Sequence, residues 1–176
     1  MYFPAIDTVG GIPAHPLLVH IPVMMIPLAL ALTLLALVKR VRTVALWGAT
    51  GSAVIGLLGC FLATSSGEAL QHAVDRSELL HEHIEAGDQV AMFTAPFVVI
   101  LIVVLLIQLA RTGTFNIATR IPALKKVTAG ALTALLGLSV ALGALAAWKT
   151  YDAGHSGAKS AWNDVDVSKV TEGDDD

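Results

Sequence analysis

Hydrophobic residues occur in four long runs that are separated by shorter polar stretches. Each run holds roughly 20 residues, the length that an α-helix needs to cross about 30 Å of hydrocarbon. With the polar turns at their ends, the runs predict helices over residues 16–38, 44–65, 78–111 and 124–148. The pattern therefore predicts an all-α fold, a bundle of four transmembrane helices over residues 16–151.

The polar segments complete the predicted organisation. Residues 1–15 form an N-terminal tail, and residues 152–176 form a polar, acidic C-terminal tail. In the one long connection, Asp75 or Ser77 can cap a helix that begins near Glu78. We therefore expect the third helix to project about three turns beyond the membrane, since the apolar run begins only at Val90.

The distribution of charge predicts the orientation of the bundle. The chain has 14 acidic and 11 basic residues and is 55% hydrophobic. The loops after the first and third helices hold seven of the basic residues and none of the acidic ones, so the positive-inside rule places these loops in the cytoplasm. Both termini and all carboxylates then lie on the outer side, where they would attract a basic soluble partner. Because topology accounts for the basic residues, the sequence does not indicate nucleic-acid binding.

The six histidines all fall at the outer ends of the predicted helices, and two of them lack an easy solvated explanation. At 100° per residue, His83 lies on the apolar face of the third helix, with Gly87 one turn further along. His20 lies one turn inside the first helix with no neighbouring charge, and an ionisable residue there is a functional hypothesis by default. For His83, the ligand hypothesis and a hydrogen-bonded core histidine both stay open.

The other four histidines have weaker constraints. His15 lies about 140° around the helix from His20, which disfavours a shared ion. His81 belongs to a polar stripe with Glu85, which is more typical of a solvated face than of a metal site. His155 follows the fourth helix closely enough to fold back over the bundle, and His72 is the least constrained.

Two kinds of cofactor site could use these residues. A bis-histidine haem needs imidazoles from two facing helices, and His20 and His83 could supply them. This haem would be a non-covalent haem b, because Cys60 is the only cysteine. A zinc or copper site would instead need three or four close ligands, such as His81 and Glu85 with His15 or His155.

The segment HPLLVHIP at residues 15–22 resembles the opening signature of a bacterial membrane family known as domain of unknown function 2231. The closing GHSGAKSAW at residues 154–162 is also similar to the end of that family. The resemblance implies four helices in a bacterial inner membrane and an association with c-type cytochrome modules. By position it carries over His15 and His20, with His81 or His83 as a third histidine.

These observations lead to three functional hypotheses. The first is a small b-type cytochrome or haem-bearing electron-transfer subunit, with His20 and His83 as ligands and His15, His81 and His155 as second choices. Its redox partner would be a basic c-type cytochrome or a quinol, so it would be an electron carrier rather than a stand-alone enzyme. The second is a cofactor-free subunit of a larger respiratory or photosynthetic complex. The third is a zinc- or copper-binding membrane protein, which ranks last because no carboxylate lies at the bilayer midplane.

Overall fold

The structure, a computed structural model, describes residues 8–71, 74 and 76–163 and is built almost entirely of helices. A two-residue antiparallel ladder precedes the bundle, and a short 3₁₀ turn at Thr114–Asn116 follows its third long helix. In chain order the strands and α-helices are β1 (Thr8–Val9), β2 (Ile12–Pro13), α1 (His15–Leu18), α2 (His20–Leu35), α3 (Arg42–Gln71), α4 (Glu78–Thr112), α5 (Ile117–Arg120), α6 (Pro122–Lys125) and α7 (Ala129–Ala161).

Four helical segments are long and apolar enough to cross a membrane, which confirms the predicted four-helix transmembrane bundle. The first, His15–Leu35, consists of α1 and α2 together, and the other three are α3, α4 and α7. The last three have 30, 35 and 33 residues, so at about 1.5 Å per residue each exceeds the thickness of the hydrocarbon core. We call the end that carries His15 and His83 the histidine end, and the opposite end, with Arg111 and Arg120, the basic end.

Capping residues fix the starts of the two longest helices. The Ser77 hydroxyl accepts a hydrogen bond from the Leu80 N–H at 3.1 Å, so α4 begins at Glu78 as predicted. The Thr128 hydroxyl does the same for the Ala131 N–H at 3.2 Å. Gly113, with φ 74°, ends α4 in the left-handed conformation that glycine adopts without strain.

The structure corrects the predicted bounds of the fourth helix, residues 124–148. Thr128 caps the helix, so it begins at Ala129, and the preceding Pro122–Lys125 forms the separate helix α6. At the other end the helix continues to Ala161, because Gly154 and Gly157 do not interrupt it. Part of the predicted C-terminal tail is therefore helical, while residues 164–176 lie outside the described residues.

The four long segments form a closed ring in which each packs against two neighbours. α2 packs on α3 and α7, and α4 packs on α7 and α3. Small residues permit the closest approaches, since a methyl group added at Gly59 would lie 2.6 Å from Ile21, and one added at Gly143 would lie 2.8 Å from Phe97. Phe97, Leu101 and Leu136 are fully buried at the centre of this ring.

The two halves of the ring bury matching positions. In α2 the buried residues lie 7, 11, 14 and 18 positions after His15: they are Pro22, Ile26, Ala29 and Thr33. In α4 buried residues lie at the same four distances after His83: they are Val90, Thr94, Phe97 and Leu101. In α3 the residues 3, 7, 10, 14 and 17 positions before Ala63 are buried: they are Cys60, Gly56, Ala53, Ala49 and Leu46. In α7 the residues at the same distances before Ala153 are buried: they are Thr150, Ala146, Gly143, Ser139 and Leu136. The bundle therefore consists of two helical pairs that share the same pattern of buried positions.

Candidate functional site

His15 and His83 meet at the histidine end, where both continue the buried faces of their helices. Their ring centres lie 6.1 Å apart, and the ring planes are inclined by 76°. His15 falls within about 40° of the buried stripe of α2 when residues are placed at 100° intervals, and His83 falls equally close to the stripe of α4. Both rings are half-buried. The inward orientation predicted for His83 is confirmed by its contacts with α7.

Each of the two rings is anchored through Nδ1 to a helix carbonyl. His15 Nδ1 lies 2.8 Å from the carbonyl oxygen of Ala63 in α3. His83 Nδ1 lies 3.1 Å from the carbonyl oxygen of Ala153 in α7. Since a carbonyl oxygen only accepts hydrogen bonds, the proton of each neutral ring resides on Nδ1, and Nε2 keeps its lone pair. Within the described residues, neither Nε2 atom forms a hydrogen bond.

The same short motif anchors both rings. Residues 63–67, ATSSG, and residues 153–157, AGHSG, share the pattern Ala-x-x-Ser-Gly. In each motif the serine hydroxyl donates to the same alanine carbonyl as the histidine, at 3.0 Å for both Ser66 and Ser156. We call residues 63–67 and 153–157 the two cradles.

The glycine of each cradle makes room for the imidazole. A methyl group added at Gly67 would lie 3.0 Å from His15 Nδ1, and one added at Gly157 would lie 2.8 Å from His83 Cε1. Both distances are shorter than ordinary van der Waals contact, so an alanine would displace the ring. The sequence interpretation missed these glycines and serines. A search for internal repeats would have identified them, because Ala-x-x-Ser-Gly occurs at both 63–67 and 153–157.

His20, the other first-choice ligand, lies on a different surface. Its side chain is exposed, and its Nδ1 bonds to the carbonyl oxygen of Pro16 in the same helical segment at 2.7 Å. His20 is about 140° from His15 around the helix, so it faces away from the stripe that packs on the bundle. Gly87, expected to admit a flat group, has no atom within 4 Å of an added methyl group.

The remaining candidates lie apart from the contact between His15 and His83. His81 is 73% exposed and pairs with Glu85, from Nε2 to Oε1 at 3.3 Å, as expected for a solvated stripe. His155 is exposed and stacks on Tyr151 with 5.9 Å between ring centres and 8° between planes. His72 lies outside the described residues.

The arrangement offers two imidazole ligands rather than a complete protein-only metal site. Over residues 8–71, 74 and 76–163, no three side chains among His, Cys, Asp and Glu form a group that could hold a metal ion. A zinc site would need three or four such ligands. What the described geometry provides is two imidazoles, His15 and His83, each with its Nδ1 hydrogen-bonded and its Nε2 unprotonated.

Comparison with known proteins places the chain in one family. A family model described as "Predicted membrane protein (DUF2231)" matches residues 11–164. No curated protein and no solved structure matches the chain.

Proposed function

The chain belongs to the DUF2231 family of predicted membrane proteins, which confirms the resemblance inferred from its sequence. From its geometry we propose that the protein transfers electrons through a b-type haem held between His15 and His83. The observation that carries the proposal is the pair of Nδ1 bonds, which leaves both Nε2 atoms free to ligate iron. The proposal keeps His83 from the sequence-based assignment and replaces His20 with His15.

The number of protein ligands fits a haem. The porphyrin supplies four nitrogen ligands to the iron, so the protein needs to add only two. A haem bound here would be held by Nε2 of His15 and Nε2 of His83, whose ring centres lie 6.1 Å apart.

The protein's own contribution is to hold the two rings. Each Nδ1–H···O=C bond fixes one tautomer and makes the opposite nitrogen a better donor to a metal. His15 on α1 is hydrogen-bonded to α3, and His83 on α4 is hydrogen-bonded to α7, so each ligand is held by a second helix. The haem would supply reversible one-electron chemistry at this position.

The charge pattern suits a cationic redox partner. All fourteen carboxylates lie at or near the histidine end in the sequence, together with four of the eleven basic residues. On the proposed topology this end faces the periplasm, where a basic c-type cytochrome would be attracted electrostatically. The basic end would face the cytoplasm of a bacterial cell.

An oxidised-minus-reduced visible spectrum tests the proposal. Protein purified from a haem-replete bacterial host should show a sharp α-band and about one haem per chain. His15→Ala and His83→Ala should each abolish or strongly shift the band, because each removes an axial ligand. His20→Ala is the matched control and should keep the spectrum, since its ring lies on another face of the same helical segment.

A folded but colourless protein would overturn the haem proposal and favour a cofactor-free subunit of a larger complex. Metal analysis of the same sample would detect zinc or copper. A spectrum lost in His20→Ala and retained in His15→Ala would instead restore the pairing predicted from the sequence.

A further inference from the structure

A polar cleft of about 260 Å³ opens between α4 and α7 at the histidine end. Glu82 and Gln89 line its α4 wall, and His155, Ser156 and Lys159 line its α7 wall. Both walls therefore present hydrogen-bonding groups to the same space.

The cleft reaches one of the two cradles and distinguishes them from each other. Ser66, in the cradle of His15, is 2% exposed and belongs to the buried core. Its counterpart Ser156, in the cradle of His83, lines the cleft, and its hydroxyl lies 3.3 Å from His83 Nδ1. In the described residues, a single hydroxyl group thus separates the cleft from the His83 ring.

The charges of the cleft favour a neutral occupant. Lys149 pairs with Asp152 at 3.6 Å, and Glu85, which also lines the cleft, pairs with His81 at 3.3 Å. These pairs leave Glu82 and Lys159 on opposite walls without an ion pair among the described residues. Two lysines disfavour a metal cation, and the carboxylates disfavour an anion. A neutral ring with an oxygen at each of two opposite ends could hydrogen-bond to both walls at once.

The position of the cleft favours a ligand that comes from the membrane. Trp148 and Tyr151 are 61% and 62% exposed on α7, next to the cleft residue His155. Exposed tryptophan and tyrosine are typical of the membrane interface, where one side of the ring is apolar and the other is hydrated. An amphipathic ligand in the bilayer would meet the cleft at this level.

We propose that the cleft between α4 and α7 binds the head group of a quinone or quinol. The Gln89 amide donates to one ring oxygen and His155 or Lys159 donates to the other, while the Glu82 carboxylate accepts from a ring hydroxyl of the quinol form. The redox role of this cleft rests on the proposed function, because a quinol bound here would donate electrons to the haem held by His15 and His83. Binding itself requires no haem and can be measured separately.

Tryptophan fluorescence provides the test. In the full-length Trp47→Phe/Trp162→Phe variant, Trp148 is the remaining tryptophan, and it lies two ring contacts from the cleft. Titration with a decyl-tailed ubiquinone in detergent should quench it saturably. Gln89→Leu and His155→Ala in this background should each weaken the apparent affinity by about tenfold, because each removes a hydrogen-bond donor to a quinone oxygen.

Two control variants distinguish binding of the quinone in the cleft from its partitioning into the detergent micelle. Glu78→Gln changes an exposed carboxylate at the start of the same helix, and His20→Ala changes an exposed histidine outside the cleft, so both should retain the parental affinity. Elution volume and helical circular dichroism show whether each variant is folded. Lys159→Gln is a third cleft variant, at an exposed position where a change is tolerated by the fold, and it should also weaken binding.

The outcomes distinguish this inference from the proposed haem. Quenching that does not saturate, or that is equal in the cleft variants and the controls, would overturn the quinone site even if the haem spectrum is present. Saturable, cleft-dependent quenching of a colourless protein would support the quinone site while the haem proposal fails.

Discussion

Two glycines determine where the histidine rings can lie. Gly67 and Gly157 are the positions at which α3 and α7 leave space beside the alanine carbonyls. The serines Ser66 and Ser156 share those carbonyls with the imidazoles. Each ring is therefore located by one hydrogen bond and by one missing methyl group.

Gly157→Ala should displace His83 while Gly154→Ala should not. The new methyl group would lie 2.8 Å from His83 Cε1, and overpacking of this kind costs about 1–3 kcal/mol. At Gly154 there is no atom within 4 Å, so the higher helix propensity of alanine should stabilise the helix by up to about 1 kcal/mol. Thermal unfolding in detergent measures both effects, and any haem band should shift in Gly157→Ala alone. A Gly157→Ala protein as stable as the parent, with the same spectrum, would contradict the tight fit.

The sequence identified one of the two paired histidines and not the other, for a physical reason. The third helix has a polar beginning, so its apolar face and the inward direction of His83 can be read from the helical spacing. The first helix is apolar on all sides, so the spacing gives the angle between His15 and His20 but not which of them faces the bundle. Only the packing of α2 on α3 decides that His15 points inward.

Close packing at the level of helices depends on small residues facing large ones. Gly59 of α3 lies under Ile21 and Pro22, and Gly143 of α7 lies under Phe97 of α4. In a bilayer such approaches supply much of the association between helices, because lipid is as apolar as the side chains. The four-helix architecture could be predicted from run lengths alone, whereas the extension of α7 to Ala161 depends on contacts that its polar last turns make with α4.

Gly59→Ala should loosen the contact between α2 and α3. Its methyl group would lie 2.6 Å from Ile21 and 2.9 Å from Pro22, and neither neighbour is a flexible chain end. We expect a loss of about 1–3 kcal/mol, equivalent to a fall of several degrees in the unfolding midpoint. Gly51→Ala in the same helix is the control, since it has no atom within 4 Å and should be neutral or stabilising. Equal midpoints for the two variants would show that the interface can relax around the extra methyl group.

At the scale of the whole molecule, the chain separates its charges between two ends. The basic loops lie at one end of the ring of helices, and both cradles and the cleft lie at the other. The positive-inside rule then predicts that the histidine end faces outward.

Cysteine labelling tests this orientation. In a Cys60→Ala background, Glu78→Cys lies at the histidine end and Thr119→Cys at the basic end, and both positions are exposed. A membrane-impermeant maleimide added to intact spheroplasts should label Glu78→Cys, and should label Thr119→Cys only after the membrane is permeabilised. The reverse pattern would invert the topology and remove the periplasmic cytochrome as a partner.

The repeated cradle has a consequence for how such a protein can be built. A two-helix hairpin that carried one histidine and one Ala-x-x-Ser-Gly segment could pair with a second copy of itself, and the histidine of each copy would dock on the cradle supplied within its own hairpin. In its burial pattern and in the anchoring of its two rings, the chain thus resembles two such hairpins joined into one polypeptide. Covalent linkage lets its two halves diverge, and in the described residues Ser156 lines a cleft whereas Ser66 is buried. In a symmetric dimer the two serines would have the same surroundings, so this difference requires a single chain whose halves differ in sequence.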